Sequence, residues 1–272
     1  MASPPRHAAV LGRPIAHSLS PVLHRAAYVA LGLSWSYDAI DCAPDDLAAL
    51  LAERRGWAGF SCTMPLKHAA LAVADEASPA ATAIGAANTL LPAGGGWRAE
   101  NTDVTGILSA LAERSVRPET ATVLGAGGTA QAAVAAFAQL GITSCGVLVR
   151  DVARTTNLAV TAERLGVQLA VSRLAPDASE LDADLIVSTL PGDSALAVAD
   201  HAWRPDQAVL DVVYDPWPTA LATCAGRGGS TFVSGALMLL HQAAAQVELM
   251  TGLPAPVEAM RAALRAAVPD GW

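Results

Sequence analysis

A single lysine, Lys67, stands in a chain whose 17 lysine and arginine residues are otherwise all arginine. An amine can give up a proton and take it back, whereas a guanidinium with a pKa above about 12 stays charged. Arginine serves wherever positive charge alone is needed, so the retained lysine points to proton transfer. General acid–base catalysis of this kind contributes about 10²–10⁴-fold to a rate. The plain alternative for a lone lysine is a solvated surface residue. A carboxylate that could pair with it is Asp103, in "ENTDVTG". Asp103 also suits the start of a helix over 103–114, and the two roles are compatible.

A second chemistry lies in "VLGAGGTAQAA". Gly125, Ala126, Gly127, Gly128, Thr129 and Ala130 follow an apolar strand and open a helix. Glycines there let the backbone approach a pyrophosphate, and the helix N-terminus supplies N–H groups and positive potential. Alanine is tolerated in the third glycine position of this fingerprint. The bland reading is a tight turn in an ordinary α/β domain. The next strand ends in "VLVRDVART", with Arg150 beside Asp151. An acidic residue there favours NAD, and an arginine accepts the 2′-phosphate of NADP. Asp151 also suits an N-cap, which leaves Arg150 and Arg154 for the phosphate. NADP is therefore the expected cofactor. Ser18 and Ser20 place two hydroxyls before a helix N-terminus, where a carboxylate is favoured.

These residues need positioning elements. Strands are expected at 8–12, 35–41 and 57–63, with a hairpin from 86–91 and 97–101 around a glycine-rich turn. Between them, Ser20 reads as the N-cap of a helix that stops at Gly32, and 44–55 as a second helix. "MPLKH" reads as a loop after the third strand. After a linker at 115–120, a second unit alternates strand and helix: 121–125, 129–141, 145–149, a helix over 151–165, then strands in "GVQLAV", "DLIVSTL" and "AVLDVV". Two helices close the chain.

Composition narrows the function classes. A net charge of −8 argues against nucleic-acid or anionic-membrane partners. Hydrophobic residues at 53% supply a core, and no apolar run reaches the roughly 18–20 residues of a membrane span. The opening "MASPPRHAAVLGRPIAHS" lacks a long apolar stretch and reads as no secretory signal. Cys42, Cys62, Cys145 and Cys224 have no CxxC spacing and read as reduced, buried thiols of a cytoplasmic protein. The histidines read as caps or packing, and no metal site is expected.

Several segments together resemble the NADP-dependent shikimate dehydrogenases, in an actinobacterial-like form, over roughly residues 8–268. "SLSP" resembles that family's Ser-x-Ser carboxylate clamp, and "SCTMPLKH" its Asn-Val-Thr-x-Pro-x-Lys motif. "GAANTL" and "ENTDVTG" match its two Asn-Thr segments. "GAGGTA" matches the cofactor turn, "DVVYDPWPTAL" the Asp-x-x-Tyr-x-Pro segment and "GALMLLHQA" the Gly-x-x-Met-Leu-x-x-Gln helix. The chain departs from the pattern twice. Ser61 stands for the usual Asn, and Val149-Arg150-Asp151 for Asn-Arg-Thr.

The resemblance implies an α/β protein of two domains with an active-site cleft between them. An N-terminal substrate domain, 1–114, would be completed by helices in 236–272, and a Rossmann-like NADP domain would span 118–235. It implies reversible NADPH-dependent reduction of 3-dehydroshikimate to shikimate in chorismate and aromatic amino acid biosynthesis, by a cytoplasmic monomer or homodimer. Lys67 and Asp103 would be catalytic. Ser18, Ser20, Thr63, Asn88, Asp103, Tyr214 and Gln242 would bind substrate. Ser188, Thr189, Val212 and Gly235 would join the glycine turn, Arg150 and Arg154 on the cofactor. Alternatives are a quinate/shikimate dehydrogenase using NAD, and a non-catalytic NADP-binding sensor of the same fold. A methylenetetrahydrofolate dehydrogenase-like enzyme is disfavoured by the Ser-x-Ser clamp and Gln242.

Overall fold

The apolar run beginning at His7 forms β1 (His7–Gly12), buried from Ala8 onward. The computed structural model describes residues 6–268, apart from the side chain of Asp193. Helix α1 (Ser20–Ala30) leads from β1 to β2 (Ser36–Asp41), with Gly32 at φ +66° in the turn between. Ser20 is the first helical residue rather than the cap, and its N–H donates to Ser18 Oγ at 3.3 Å. Leu19 holds the cap position without a side-chain bond, Ser18 Oγ meets one of the free N–H groups of the helix start, and Ser20 is buried. A 3₁₀ turn, Pro44–Asp46, tightens the start of the next helix, so α2 spans only Leu47–Glu53.

Next come β3 (Gly59–Cys62), α3 (Lys67–Val73), the short β4 (Glu76–Ala77), α4 (Pro79–Ile84), the hairpin β5 (Thr89–Ala93) and β6 (Gly96–Glu100), and α5 (Asp103–Glu113). Gly94 and Gly95, at φ +56° and +89°, make the hairpin turn that the glycine run predicts. The strand order is β2-β1-β3-β5-β6-β4. β1 pairs in parallel with β2 and β3, whereas β5 runs antiparallel to both β3 and β6. Consequently the C-terminal ends of β1, β3 and β6 and the start of β5 share one end of the sheet. Leu11, Phe60, Leu66, Leu90 and Trp97 fill the core on one face.

The second sheet is built from β7 (Ala121–Leu124), β8 (Ser144–Val149), β9 (Gln168–Arg173), β10 (Leu185–Ser188), β11 (Ala208–Asp211) and β12 (Thr231–Ser234). Its helices are α6 (Gly128–Gln139), α7 (Thr156–Leu165) and α8 (Ala220–Arg227). All pairs are parallel, in the order β12-β11-β10-β7-β8-β9. Counted within this unit, that is the 3-2-1-4-5-6 order of a dinucleotide-binding sheet read from the β9 edge. Eight consecutive residues of α6, Ala130 to Phe137, are buried, which explains its run of alanines. Elements α8 and β12 carried no clear sequence signal. The Thr219 hydroxyl caps α8, and pairing with β11 makes β12 a strand.

Two further helices end the described chain, α9 (Gly235–Thr251) and α10 (Val257–Ala267). α10 packs against α1 and buries Met260 and Leu264. Among the described residues, one compact unit comprises 6–106 together with 239–268. The other comprises Ile107–Met238. The fold is the α/β architecture of two domains that the sequence implies, with a mixed rather than alternating first sheet. Among the described residues, no helix is long and apolar enough to cross a membrane.

Candidate active site

The chain leaves β3 through Thr63, whose N–H donates to Leu11 O at 2.9 Å. The neighbouring strand leaves β1 through Arg13, whose N–H donates to Met64 O at 3.0 Å. The two exits therefore run side by side. A side chain on Gly12 would overlap the Thr63 methyl, so glycine is required where they meet. Leu66 N–H then donates to Thr63 O at 2.7 Å and turns the chain into α3. Lys67 is thus the first residue of a helix and not a loop residue, because this single turn is already helical in sense.

Lys67 Nζ lies 2.5 Å from Asp103 Oδ2, with side chains only 14% and 5% exposed. Asp103 sits in the first turn of α5, where the helix dipole favours a carboxylate. Its N–H donates to Asn101 Oδ1 at 3.0 Å, so Asn101 rather than Asp103 serves that helix start. The other carboxylate oxygen, Oδ1, accepts from Asn88 Nδ2 at 2.9 Å. Asn88 Nδ2 also lies 2.9 Å from Thr102 Oγ and 3.3 Å from Gln242 Oε1. Asn88 Oδ1 accepts from Thr102 N–H at 2.8 Å and from the Thr89 hydroxyl at 2.9 Å. Gln242 donates to Leu239 O at 3.0 Å. A largely desolvated ion pair is costly unless its remaining atoms are satisfied, and here both carboxylate oxygens have partners.

The structure thus brings Lys67, Asp103, Asn88 and Gln242 into one hydrogen-bonded cluster at the end of the first sheet. The half-buried Ser18 and Thr63 and the buried Ser20 occupy the exits of β1 and β3 at that same end. Tyr214 belongs to the second unit, half-buried in the segment after β11. Asn101 and Thr102, legible in "ENTDVTG" only as an Asn-Thr segment, prove to brace Asp103 and Asn88. Gln246 went unread, although it lies one helical turn after Gln242 on a mostly apolar helix.

In the second unit, Gly125 N–H donates to Leu148 O, and the residue adopts φ +106°. A Cβ there would lie 2.5 Å from Thr189 Oγ. Thr189 in turn donates its hydroxyl to Leu124 O at 2.8 Å, which ties the end of β10 to the turn. Gly127 caps α6 with no side chain, and a Cβ on it would meet nothing within 4 Å. The turn is therefore a cradle of backbone at a long helix N-terminus, which fits a pyrophosphate. Gly128 and Thr129 begin the helix, half-buried with Ala126, while Ala130 is fully buried. Gly235 admits no side chain, because a Cβ would overlap the carbonyl of Val212. Ser188 ends β10, and Thr189 and Val212 directly follow β10 and β11, at the C-terminal ends of parallel strands where such sheets present ligand contacts.

Asp151 caps the turn Val152–Thr155 by accepting Ala153 N–H at 3.0 Å. Arg150 and Arg154 are exposed on either side of it. Burial pushes the Asp211 carboxyl up to about 6, against a hydrogen bond from Thr219 that lowers it. Of the cysteines, Cys42, Cys62 and Cys145 are buried free thiols, whereas Cys224 is only half-buried. Burial pushes Cys62 and Cys145 up to about 12, which makes both poor nucleophiles.

A parallel six-stranded sheet with a glycine turn, joined in one chain to a mixed sheet bearing a Lys–Asp pair, defines an α/β protein of the dinucleotide-binding dehydrogenase type. Comparison with known proteins is more specific: the chain belongs to the shikimate dehydrogenase family. The family model described as shikimate dehydrogenase substrate binding domain matches residues 10–90, and that described as Shikimate 5′-dehydrogenase C-terminal domain matches residues 235–265. The chain is 39% identical over 276 residues to a shikimate dehydrogenase (NADP(+)) of Moorella thermoacetica, covering 96% of this chain and 92% of the relative. The crystal structure of Mycobacterium tuberculosis shikimate dehydrogenase superposes with TM-score 0.85 at 44% identity, covering 96% and 100% of the two chains. The Thermus thermophilus enzyme, solved in complex with NADP(H) and shikimate, superposes with TM-score 0.84 at 36% identity, covering 96% and 99%.

Proposed function

We propose that this chain is an NADP-dependent shikimate dehydrogenase, an oxidoreductase that reversibly reduces 3-dehydroshikimate to shikimate in chorismate and aromatic amino acid biosynthesis. The observation that carries the reading is the largely buried Lys67–Asp103 pair, with its carboxylate braced by Asn88. NADPH, when bound, supplies the hydride. Lys67 donates a proton from Nζ to the carbonyl oxygen as negative charge grows there. In the oxidation direction the neutral amine takes the proton from the alcohol. Asp103 orients the amine and accepts from a ring hydroxyl.

Ser18 and Ser20 hold the substrate carboxylate, with Tyr214 as a further donor, while Thr63, Asn88 and Gln242 read the ring hydroxyls. A site built to hydrogen-bond hydroxyls rejects analogues that lack them, because its buried groups are then left unpaired. Residues 1–114 with 236–272 act as the substrate domain and 118–235 as the cofactor domain. The turn Gly125–Ala130 holds the pyrophosphate, with Ser188, Thr189, Val212 and Gly235 toward the nicotinamide. Arg150 and Arg154 take the 2′-phosphate. The capping bond of Asp151 supports NADP over NAD, since a carboxylate used on the backbone is less available to a ribose. The enzyme works in the cytoplasm as a monomer or homodimer.

Initial rates with shikimate or quinate, each with NADP⁺ or NAD⁺, test the reading. Shikimate with NADP⁺ is expected to be fastest. Faster turnover of quinate with NAD⁺ would favour the quinate/shikimate alternative. Tight NADP⁺ binding without turnover of either substrate would identify a sensor.

A further inference from the structure

Behind the Lys67–Asp103 pair lies a chain of buried hydrogen bonds that runs in one direction. The Tyr37 hydroxyl donates to Ser61 Oγ at 2.5 Å, and the Ser61 hydroxyl donates to Gln246 Oε1 at 2.7 Å. Gln246 Nε2 donates to Thr89 Oγ at 2.9 Å and to the Asn88 carbonyl at 3.2 Å. The Thr89 hydroxyl donates to Asn88 Oδ1, whose amide nitrogen then faces Asp103. Tyr37 and Thr89 are fully buried, and Ser61, Gln246 and Asn88 are 4%, 1% and 2% exposed. At the far end, the Tyr37 ring stacks on His24 with centroids 3.9 Å apart.

The direction of these bonds has a chemical consequence. A hydroxyl has one hydrogen. Because Thr89 accepts from Gln246, its hydrogen is left for Asn88 Oδ1. Together with the Thr102 N–H, which also donates to Asn88 Oδ1, that bond sets which end of the Asn88 amide is the acceptor and keeps the Nδ2 end toward the carboxylate. The reverse orientation would set the Asn88 carbonyl oxygen against Asp103, an acceptor facing an anion. Gln246 is itself oriented by the Ser61 hydroxyl, which has Tyr37 as its own donor.

We propose that Gln246, held by Ser61 and Tyr37, is a positioning residue that acts with the Thr102 N–H to hold the Asn88 amide in place and through it the Asp103–Lys67 pair; the kinetic part of this rests on the dehydrogenase reading. It gives a purpose to the departure at position 61. A serine in place of asparagine leaves room for a carboxamide to enter from α9, and Gln246 supplies it. An asparagine at 61 would bring the same amide donor and acceptor from β3.

Two shape-conserving variants break the chain at different bonds, Gln246→Met and Thr89→Val. Each is expected to lower kcat for shikimate oxidation by about 10–100-fold, the cost of misplacing a catalytic group by a fraction of an ångström to one ångström. The KM for NADP⁺ is expected to be unchanged. The double variant Ser61→Asn/Gln246→Ala is expected to recover to within about threefold of the parent, above Gln246→Ala alone. A kcat within twofold of the parent in both single variants, or no recovery in the double variant, would overturn the proposal. Crystal structures of the two single variants read the position without any turnover: an Asn88 amide displaced from its place between Thr89 and Asp103 is expected, and an unmoved Asn88 would refute the positioning role. A parent protein inactive on shikimate would sink the dehydrogenase reading alone, leaving those structures to decide this one.

Discussion

The two candidate sites are built from opposite materials. In the first unit, side chains carry the chemistry, and each polar atom of the Asn88–Asp103–Lys67 cluster is aimed by another side chain. In the second unit, the turn from Gly125 is made by backbone, and what matters is the absence of side chains at Gly125, Gly127 and Gly235. A substrate with several hydroxyls has to be told from near relatives, which needs donors and acceptors of fixed sense. A pyrophosphate offers diffuse negative charge, which a helix N-terminus and bare N–H groups meet without side chains. The first site should therefore fail by losing a functional group, and the second by gaining a methyl.

The largest effect should come from the first site. Lys67→Ala and Lys67→Arg are both expected to lower kcat by about 10²–10⁴-fold. NADP⁺ affinity, read by fluorescence titration, should stay close to that of the parent. Arginine keeps the charge but cannot give up the proton, so a nearly normal kcat in Lys67→Arg would refute the acid–base role.

The two units should also respond to pH with opposite slopes. Burial lowers the pKa of His24, in the first unit, from 6.5 to about 4, while its bond to the Ser20 carbonyl raises it. Between those values the unfolded chain binds a proton that the folded chain does not. Stability therefore falls as pH drops from 6.5 to 4, by about 3 kcal/mol over the window. Asp211, in the second unit, is raised from 3.8 to about 6. There the folded chain binds the extra proton, and stability falls as pH rises from about 4 to 6, by ~3 kcal/mol. Urea unfolding from pH 4 to 8 should show His24→Phe losing the first slope and Asp211→Asn the second. Identical pH profiles for parent and variants would show that neither burial matters to stability.

Two glycines then separate folding from binding within the second site. Gly125→Ala should lower both the melting temperature and NADP⁺ affinity, since φ +106° and the contact with Thr189 cost about 1–3 kcal/mol. Gly127→Ala meets open space, so it should leave the melting temperature within a degree or two and weaken NADP⁺ binding alone. Loss of thermal stability in Gly127→Ala would contradict the backbone cradle. The smallest effect is expected at the exposed arginines. Arg150→Ala should raise the KM for NADP⁺ about tenfold, or ~1.4 kcal/mol, and leave that for NAD⁺ nearly unchanged. Equal effects on the two cofactors would remove Arg150 from the 2′-phosphate.

Much of this was legible in the residue order. The glycine turn between β7 and α6 is a local pattern, and so are the hairpin at Gly94–Gly95 and the alternation that places most strands. Elements whose form depends on neighbours were not legible: α3 begins at Lys67 because Leu66 bonds back to Thr63, and β12 exists because β11 pairs with it. The outer layer of the site was the hardest part. Gln246 and Ser61 lie 185 residues apart, and nothing local to a glutamine on an apolar helix says which polar atom it will meet.

By itself, then, the sequence determined the chemistry available: one amine that can release a proton, a carboxylate for it, and a turn without side chains at the head of a helix. Residue type and short spacing are sufficient for that, because propensity, periodicity and protonation behaviour are properties of a few neighbouring residues. Only the tertiary structure decided that β5 runs against β3, so that Asn88 and Asp103 reach the end of the sheet where Lys67 emerges. It alone decided the sense of each hydrogen bond behind them. A buried donor must find an acceptor wherever packing brings one, and packing joins residues from distant parts of the chain.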